Sequence, residues 1–178
     1  MKVAVLHEVG QPLVIEEVQV DDPGPREVLV RTAAAGVCHS DLHLMNGNYA
    51  TELPSVMGNE AAGVVEKVGR DVTYLKPEDH VISCMSMFCG SCYYCLTGKP
   101  FNCDNIDVLM RADGETQRLS QNGSKIHMSY NLGSFAEMML LHEHALVKIR
   151  PDMPLDRAAL HWVCRYYGCW RRHPHRAS

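Results

Sequence analysis

Two groups of residues in this chain have the types and spacing to do chemistry. The first is CGSCYYCLTGKPFNC, where Cys89, Cys92, Cys95 and Cys103 follow the pattern C-x2-C-x2-C-x7-C. Thiolates two residues apart can turn onto one ion, and Gly90 and Gly98 let the backbone wrap around it. Four sulfurs at about 2.3 Å in a tetrahedron make a closed zinc site with no open position, so the signal is structural rather than catalytic. Disulfides and reduced core thiols are the competing uses of these residues, and four cysteines in one short loop favour the metal. The second group lies in AAGVCHSDLHLMNG and VMGNEAAGVVEKVG. Here Cys38 is a soft ligand, with Ser40, Asp41, His43 and Glu60 near it in sequence. Plainer uses stand beside these: Ser40 as a helix cap, Asp41 as a first-turn acid favoured by the helix dipole, His43 as an exposed helical histidine.

A β framework has to position both groups. Apolar, β-branched runs punctuated by Gly, Pro and Asp predict strands at 2–6, 13–20, 27–35, 62–68, 80–84, 134–141 and 145–149. Turn-forming runs at 21–25, 69–71 and 76–79 separate several of them. Helical patterning is weak: a short helix is predicted at 40–45, capped by Ser40, and another pattern begins at 153. The polar stretch 111–131, with Gly114 and Gly123 inside it, reads as a long surface excursion. Many short strands with turns between them predict a small barrel or sandwich.

The 178 residues suffice for one domain, or one domain and part of a second. No apolar run of about 18 residues occurs, so no membrane helix and no membrane partner are expected. The opening MKVAVLHEVGQP has neither the apolar stretch nor the cleavage site of a secretory signal. Eight cysteines without an export signal point to a reducing cytoplasm, where metal ligation is favoured over disulfides. Residues 161–178 hold four arginines (Arg165, Arg171, Arg172, Arg176) and no acid, a charge of +4; the total being −4, residues 1–160 carry −8. A basic tail on an acidic body is the pattern of a nucleic-acid arm. No nucleic-acid partner is expected, for the reason given below.

Taken together, the two groups resemble the zinc-dependent alcohol dehydrogenases of the medium-chain dehydrogenase/reductase superfamily, in register over about residues 1–160. The resemblance implies a mainly β fold with minor α: a GroES-like, partly open β-barrel carrying a structural-zinc loop. In that family this domain is the catalytic one, and a Rossmann NAD(P)-binding domain follows it. Residue by residue, Cys38 matches the first catalytic-zinc ligand and Asp41 a carboxylate that orients the zinc-bound histidine. Ser40 matches the hydroxyl that accepts the substrate alcohol's proton, and His43 the imidazole that passes it to solvent; the substrate implied is a small alcohol or, in the reverse direction, an aldehyde. His39 stands where a basic side chain touches the cofactor pyrophosphate, and Glu60 matches a carboxylate close to the zinc. Cys89, Cys92, Cys95 and Cys103 match the structural-zinc ligands.

The chain departs from that pattern at three places. The family writes Gly-His-Glu where this chain has Gly58-Asn59-Glu60, so a neutral amide oxygen replaces the second nitrogen ligand of the catalytic zinc. Either Asn59 or Glu60 would have to ligate in its place. Glu78 stands where the family has glycine in a turn, a strain of order 1 kcal/mol if φ there is positive. After Leu160 the family continues with a Gly-Cys segment, whose cysteine is the third catalytic ligand, and then Thr-Thr-Gly-x-Gly. The codons of 161–171, read one nucleotide later, permit I-G-C-A-G-T-T-G-V-G-A, which resembles that continuation. Residues 161–178 are therefore expected to be an out-of-frame, disordered tail standing where the Rossmann domain would begin. On this basis the chain is expected to hold one structural zinc and to be inactive alone. The alternatives are a non-catalytic zinc-stabilised binding module, and an enzyme active only with a partner chain that supplies the cofactor domain. Exposed strand edges should favour oligomers or aggregates.

Overall fold

The longest apolar alternation, EVLVRTAAAG, becomes an interior strand of the main sheet, paired on both sides. The computed structural model describes residues 1–112 and 115–160; the tail expected at 161–178 lies outside the described residues. In chain order the elements are β1 (Lys2–Leu6), β2 (Val14–Glu17), β3 (Gln19–Val20), β4 (Glu27–Gly36), α1 (His39–Met45), β5 (Ser55–Val56), β6 (Glu60–Val68) and β7 (His80–Ser83). There follow α2 (Tyr93–Leu96), β8 (Leu119–Gln121), β9 (Ser124–Lys125), β10 (His127–Met128), β11 (Met138–His142), β12 (Leu146–Lys148) and α3 (Leu155–Ala158).

The main sheet has the order β11-β4-β6-β7-β12, with every neighbouring pair antiparallel. Its inward residues, Val28, Val30, Val65, Val81, Met139 and Leu141 among them, form the principal core. A second sheet, β10-β5-β1-β2, packs Val3, Val5 and Val56 over Val18, Leu119 and Ile126, and a bridge between Val3 and Ala136 links it to the segment entering β11. A small third sheet has the order β3-β8-β9. The result is a mainly β, half-barrel arrangement: the strand pattern allowed a barrel or a sandwich, and the family resemblance implied the partly open barrel. Among the described residues no helix is long and apolar enough to cross a membrane.

Several elements differ from their sequence expectation for identifiable reasons. The single strand expected at 13–20 is two, because the buried Val18 donates its N–H to the Met1 carbonyl. On either side of it the chain pairs with different sheets, β2 with β1 and β3 with β8. The strand expected at 134–141 is regular only from Met138; before it, Phe135 bonds to both Met57 and Ala4 as a crossing segment. The helix expected at 40–45 starts one residue earlier, and Cys38 rather than Ser40 is its N-cap. Among its described residues, the stretch 111–131 is more than the surface excursion expected, although 115–117 and 122–125 are exposed. It contributes three short strands, and its Arg118 is 6% exposed, tied to Glu27 at the start of β4. Glu78 has φ 72°, the left-handed conformation that its family glycine implied.

One pairing positions the second group of chemical residues. Gly36 at the end of β4 lies opposite Glu60 at the start of β6, which sets Cys38 and α1 beside the 58–60 turn. The approach is so close that a Cβ on Gly36 would collide with the Glu60 carboxylate and lie 2.7 Å from Leu160 Cδ2.

Candidate metal centre and the Cys38 site

The four cysteines of the 89–103 loop converge. Their sulfurs all lie within 4.8 Å of one another, with Cys92–Cys95 at 3.4 Å and both Cys89–Cys95 and Cys92–Cys103 at 3.9 Å. A tetrahedron with metal–sulfur bonds of about 2.3 Å requires sulfurs about 3.8 Å apart. Gly90 and Gly98 both take left-handed φ, 80° and 78°, and so make the two turns of the loop. Backbone N–H groups point at the sulfurs: Ser91 and Cys92 donate to Cys89 Sγ at 3.4 and 3.3 Å, and Cys89 N–H donates to Cys103 Sγ at 3.3 Å. The Ser91 backbone and hydroxyl donors, joined by Cys92 N–H, outweigh burial and bring the Cys89 thiol down to about 6. Donors aimed at sulfur favour the thiolate, the form a metal requires. This donor set and spacing fit a structural zinc, and the described cysteines are all free of disulfides. Cys84, buried in the core with its thiol pushed up by burial, is a packing residue.

The second group also comes together, in a different way. Asp41 is 1% exposed, and its carboxylate accepts from the N–H of Cys38 at 3.0 Å and of Gly58 at 3.2 Å. Burial raises its pKa against these two bonds. The Asn59 amide donates to Ser40 Oγ at 2.5 Å, while its carbonyl oxygen is buried with no partner. Glu60 is buried; burial raises its pKa, a hydrogen bond with Cys38 opposes this, and the Asp41 charge adds to it. His43 Nδ1 meets the Asn48 amide at 3.1 Å, with its ring between those of His39 (4.7 Å) and Tyr49 (4.9 Å). His39 is exposed.

Sequence reasoning missed Tyr130. Its φ is 52°, and burial raises the pKa of a phenol that is also hydrogen-bonded to Ser40. Lying ninety positions from Ser40 in a polar stretch, it gave no local signal.

A second zinc fits poorly here. Besides the four cysteines, no group of three or more His, Cys, Asp or Glu donors converges among the described residues. What Cys38 has nearby is a carboxyl and an amide already bonded to Ser40, not the nitrogen-and-sulfur set that zinc takes.

The profile of the alcohol dehydrogenase GroES-like domain matches residues 24–151. The chain belongs to that family. Among the GroES-like alcohol dehydrogenases, it is 41% identical over 162 residues to the NDMA-dependent alcohol dehydrogenase of Amycolatopsis methanolica, covering 89% of this chain and 43% of that protein. The alcohol dehydrogenase zinc-binding domain protein of Burkholderia ambifaria superposes with a TM-score of 0.81 at 34% identity, over 90% of this chain and 44% of that one. The benzyl alcohol dehydrogenase of Acinetobacter calcoaceticus superposes with a TM-score of 0.79 at 30% identity, over 89% and 43% respectively. The chain thus spans less than half the length of the curated relatives it matches.

Proposed function

We propose that this chain is the catalytic-domain portion of a cytoplasmic, NAD(P)-dependent alcohol dehydrogenase, that it holds one structural zinc, and that it turns over no substrate by itself. The buried Asn59 amide carries this reading: it stands where the family pattern has histidine, and it is spent on Ser40. Zinc at Cys89, Cys92, Cys95 and Cys103 braces the lobe and supplies no chemistry, because all four positions are filled by protein. A nicotinamide cofactor, when bound in the complete enzyme, would supply the hydride chemistry that interconverts a small alcohol and its aldehyde.

The remaining residues take roles compatible with their surroundings. In an enzyme completed with its cofactor domain, Ser40 would receive the alcohol proton, its hydroxyl held by Asn59 and Tyr130. His43, half-buried beside Asn48, passes that proton outward. Asp41 fixes the Cys38 and Gly58 backbone on either side of the site, and Glu60 keeps a carboxyl against the Cys38 thiol. His39, exposed on the same helix, is the side chain offered to the cofactor pyrophosphate. Metal analysis and reduced-cofactor absorbance with a panel of primary alcohols test the proposal. The expected result is one zinc per chain and no absorbance change. Two tightly held zincs, or brisk turnover, would sink it.

A second reading draws on the surface of the zinc lobe. Tyr93, Leu96 and Phe101 are 72%, 74% and 69% exposed, a large apolar display on a short segment. It favours a zinc-stabilised binding module, or an enzyme completed by a partner chain that brings the cofactor domain. Partner capture that disappears in Cys92→Ser, without turnover, supports the module. Turnover that appears only with the partner supports the completed enzyme.

A further inference from the structure

Cys89 opens the first knuckle of the zinc loop, and the residue before it, Phe88, is gripped by a side chain from the other end of the domain. His144 Nδ1 lies 2.6 Å from the Phe88 carbonyl oxygen. The two rings stack with centroids 4.6 Å apart and planes 7° from parallel. His144 Nε2 lies 3.2 Å from Arg26 Nη2. A guanidinium only donates, so Nε2 must accept, the imidazole is neutral, and its one proton sits on Nδ1, facing the carbonyl.

Arg26 is itself held in place. Its Nε donates to Glu143 Oε1 at 2.6 Å, Glu143 is 3% exposed, and Glu143 N–H returns to the Arg26 carbonyl at 2.9 Å. The Tyr74 hydroxyl bonds the carbonyls of Glu143 and Leu146, pinning the turn that carries His144. The His144 N–H donates to His142 Nδ1 at 3.1 Å. Burial, helped by His144, Arg26 and Arg118, brings His142 down to about 4, so it stays neutral and accepting near neutral pH. Beneath the His144 ring the chain turns at Gly90, where an added Cβ would lie 3.6 Å from Cε1.

We infer that His144 is a positioning residue for the zinc centre: held in one tautomer by Arg26, it clamps the Phe88 carbonyl and shapes the Cys89–Cys92 knuckle for the ion. The inference rests on the four cysteines being the zinc site. A loop with one knuckle already formed orders less backbone when the ion binds. Partners one shell removed from a metal are typically worth ten- to a hundredfold in affinity.

The test uses the full chain loaded with zinc, with release followed by a chromophoric chelator and with cobalt substituted as a spectroscopic reporter. His144→Ala is expected to weaken zinc binding about 10- to 100-fold and to alter the thiolate-to-cobalt band. His144→Asn, whose side-chain N–H can still reach the carbonyl, should recover most of the loss. Arg26→Gln should fall between, since the tautomer is then free to exchange. If His144→Ala fails to fold, the Asn and Gln variants carry the comparison. Wild-type release rates and an unchanged cobalt band in the variants would overturn the clamp while leaving the zinc site standing. A wild-type chain that purifies without metal would overturn both.

Discussion

The side-chain amide of Asn59 and the hydroxyl of Ser40, nineteen positions apart, meet at 2.5 Å. The family pattern assigns these two positions to metal binding and to proton transfer, and here they are bonded to each other. The contact leaves the Asn59 carbonyl oxygen buried and unpaired, a cost of about 1–3 kcal/mol that one neutral hydrogen bond barely offsets. A residue kept at such a position by packing alone should be replaceable.

Replacing Asn59 tests its part in the site. Asn59→Ala removes both the bond to Ser40 and the orphaned oxygen, so stability should change by under about 1 kcal/mol in urea unfolding. Asn59→His restores an imidazole beside Cys38 and Glu60, and the bound zinc should rise from one to two equivalents, the second released first to a chelator. A count that stays at one would show that Cys38 and Glu60 do not converge on an ion.

The zinc lobe should be separable from the barrel. Its cysteines pack on the main core through Met87, Cys89 and Leu109, but its own helix α2 buries no residue. Removing the metal, or Cys92→Ser, should therefore abolish hydrogen-exchange protection over residues 89–103 while β4 and β6 keep theirs. Equal loss in β4 and β6 would mean that the metal supports the whole fold.

What was legible in the sequence was local. The C-x2-C-x2-C spacing and two glycines foretold a loop whose sulfurs meet, because neighbouring residues alone make those turns. The apolar runs 27–35 and 62–68 foretold β4 to within one residue and β6 to within two. What failed was nonlocal. Nothing near Arg118 announces that it is buried, because the reason is Glu27, ninety-one positions earlier. Tyr130 reaches Ser40, and His144 reaches Phe88, over separations that no local pattern records. The split at Val18 was hidden because one apolar run serves two sheets.

Glu78 gives a prediction of stabilisation. Its φ of 72° costs a residue with a Cβ roughly 1–2 kcal/mol. Glu78→Gly relieves this but enlarges the unfolded ensemble, leaving a net gain of about 0.5–1 kcal/mol and about 2 °C in Tm. Asn122, at φ 51°, is a residue type that tolerates this conformation, so Asn122→Gly should gain less. Calorimetry of the two variants checks the order, and equal shifts would contradict it.

Glu27 should make stability depend on pH. Its carboxylate, 5% exposed, meets Arg111 Nη2 at 2.5 Å, Arg118 Nε at 2.6 Å and the Gly24 N–H at 2.8 Å. Burial pushes its pKa up, but the two arginines and the Gly24 N–H outweigh burial and hold it below the ordinary 4.5. Between the folded and unfolded pKa values the unfolded chain binds more protons, so stability rises with pH there. The contribution is present above about pH 4.5 and is lost as pH falls through the folded value. Glu27→Gln, neutral at every pH, leaves two arginines facing an amide and should cost about 3–5 kcal/mol at pH 7. Urea unfolding of both proteins between about pH 3 and 7 should show that gap hold steady down to about pH 5 and then narrow, by at most about 2 kcal/mol at pH 3, as the unfolded wild-type carboxylate takes up protons first. A gap of constant size down to pH 3 would mean that the cost comes from lost packing rather than lost charge.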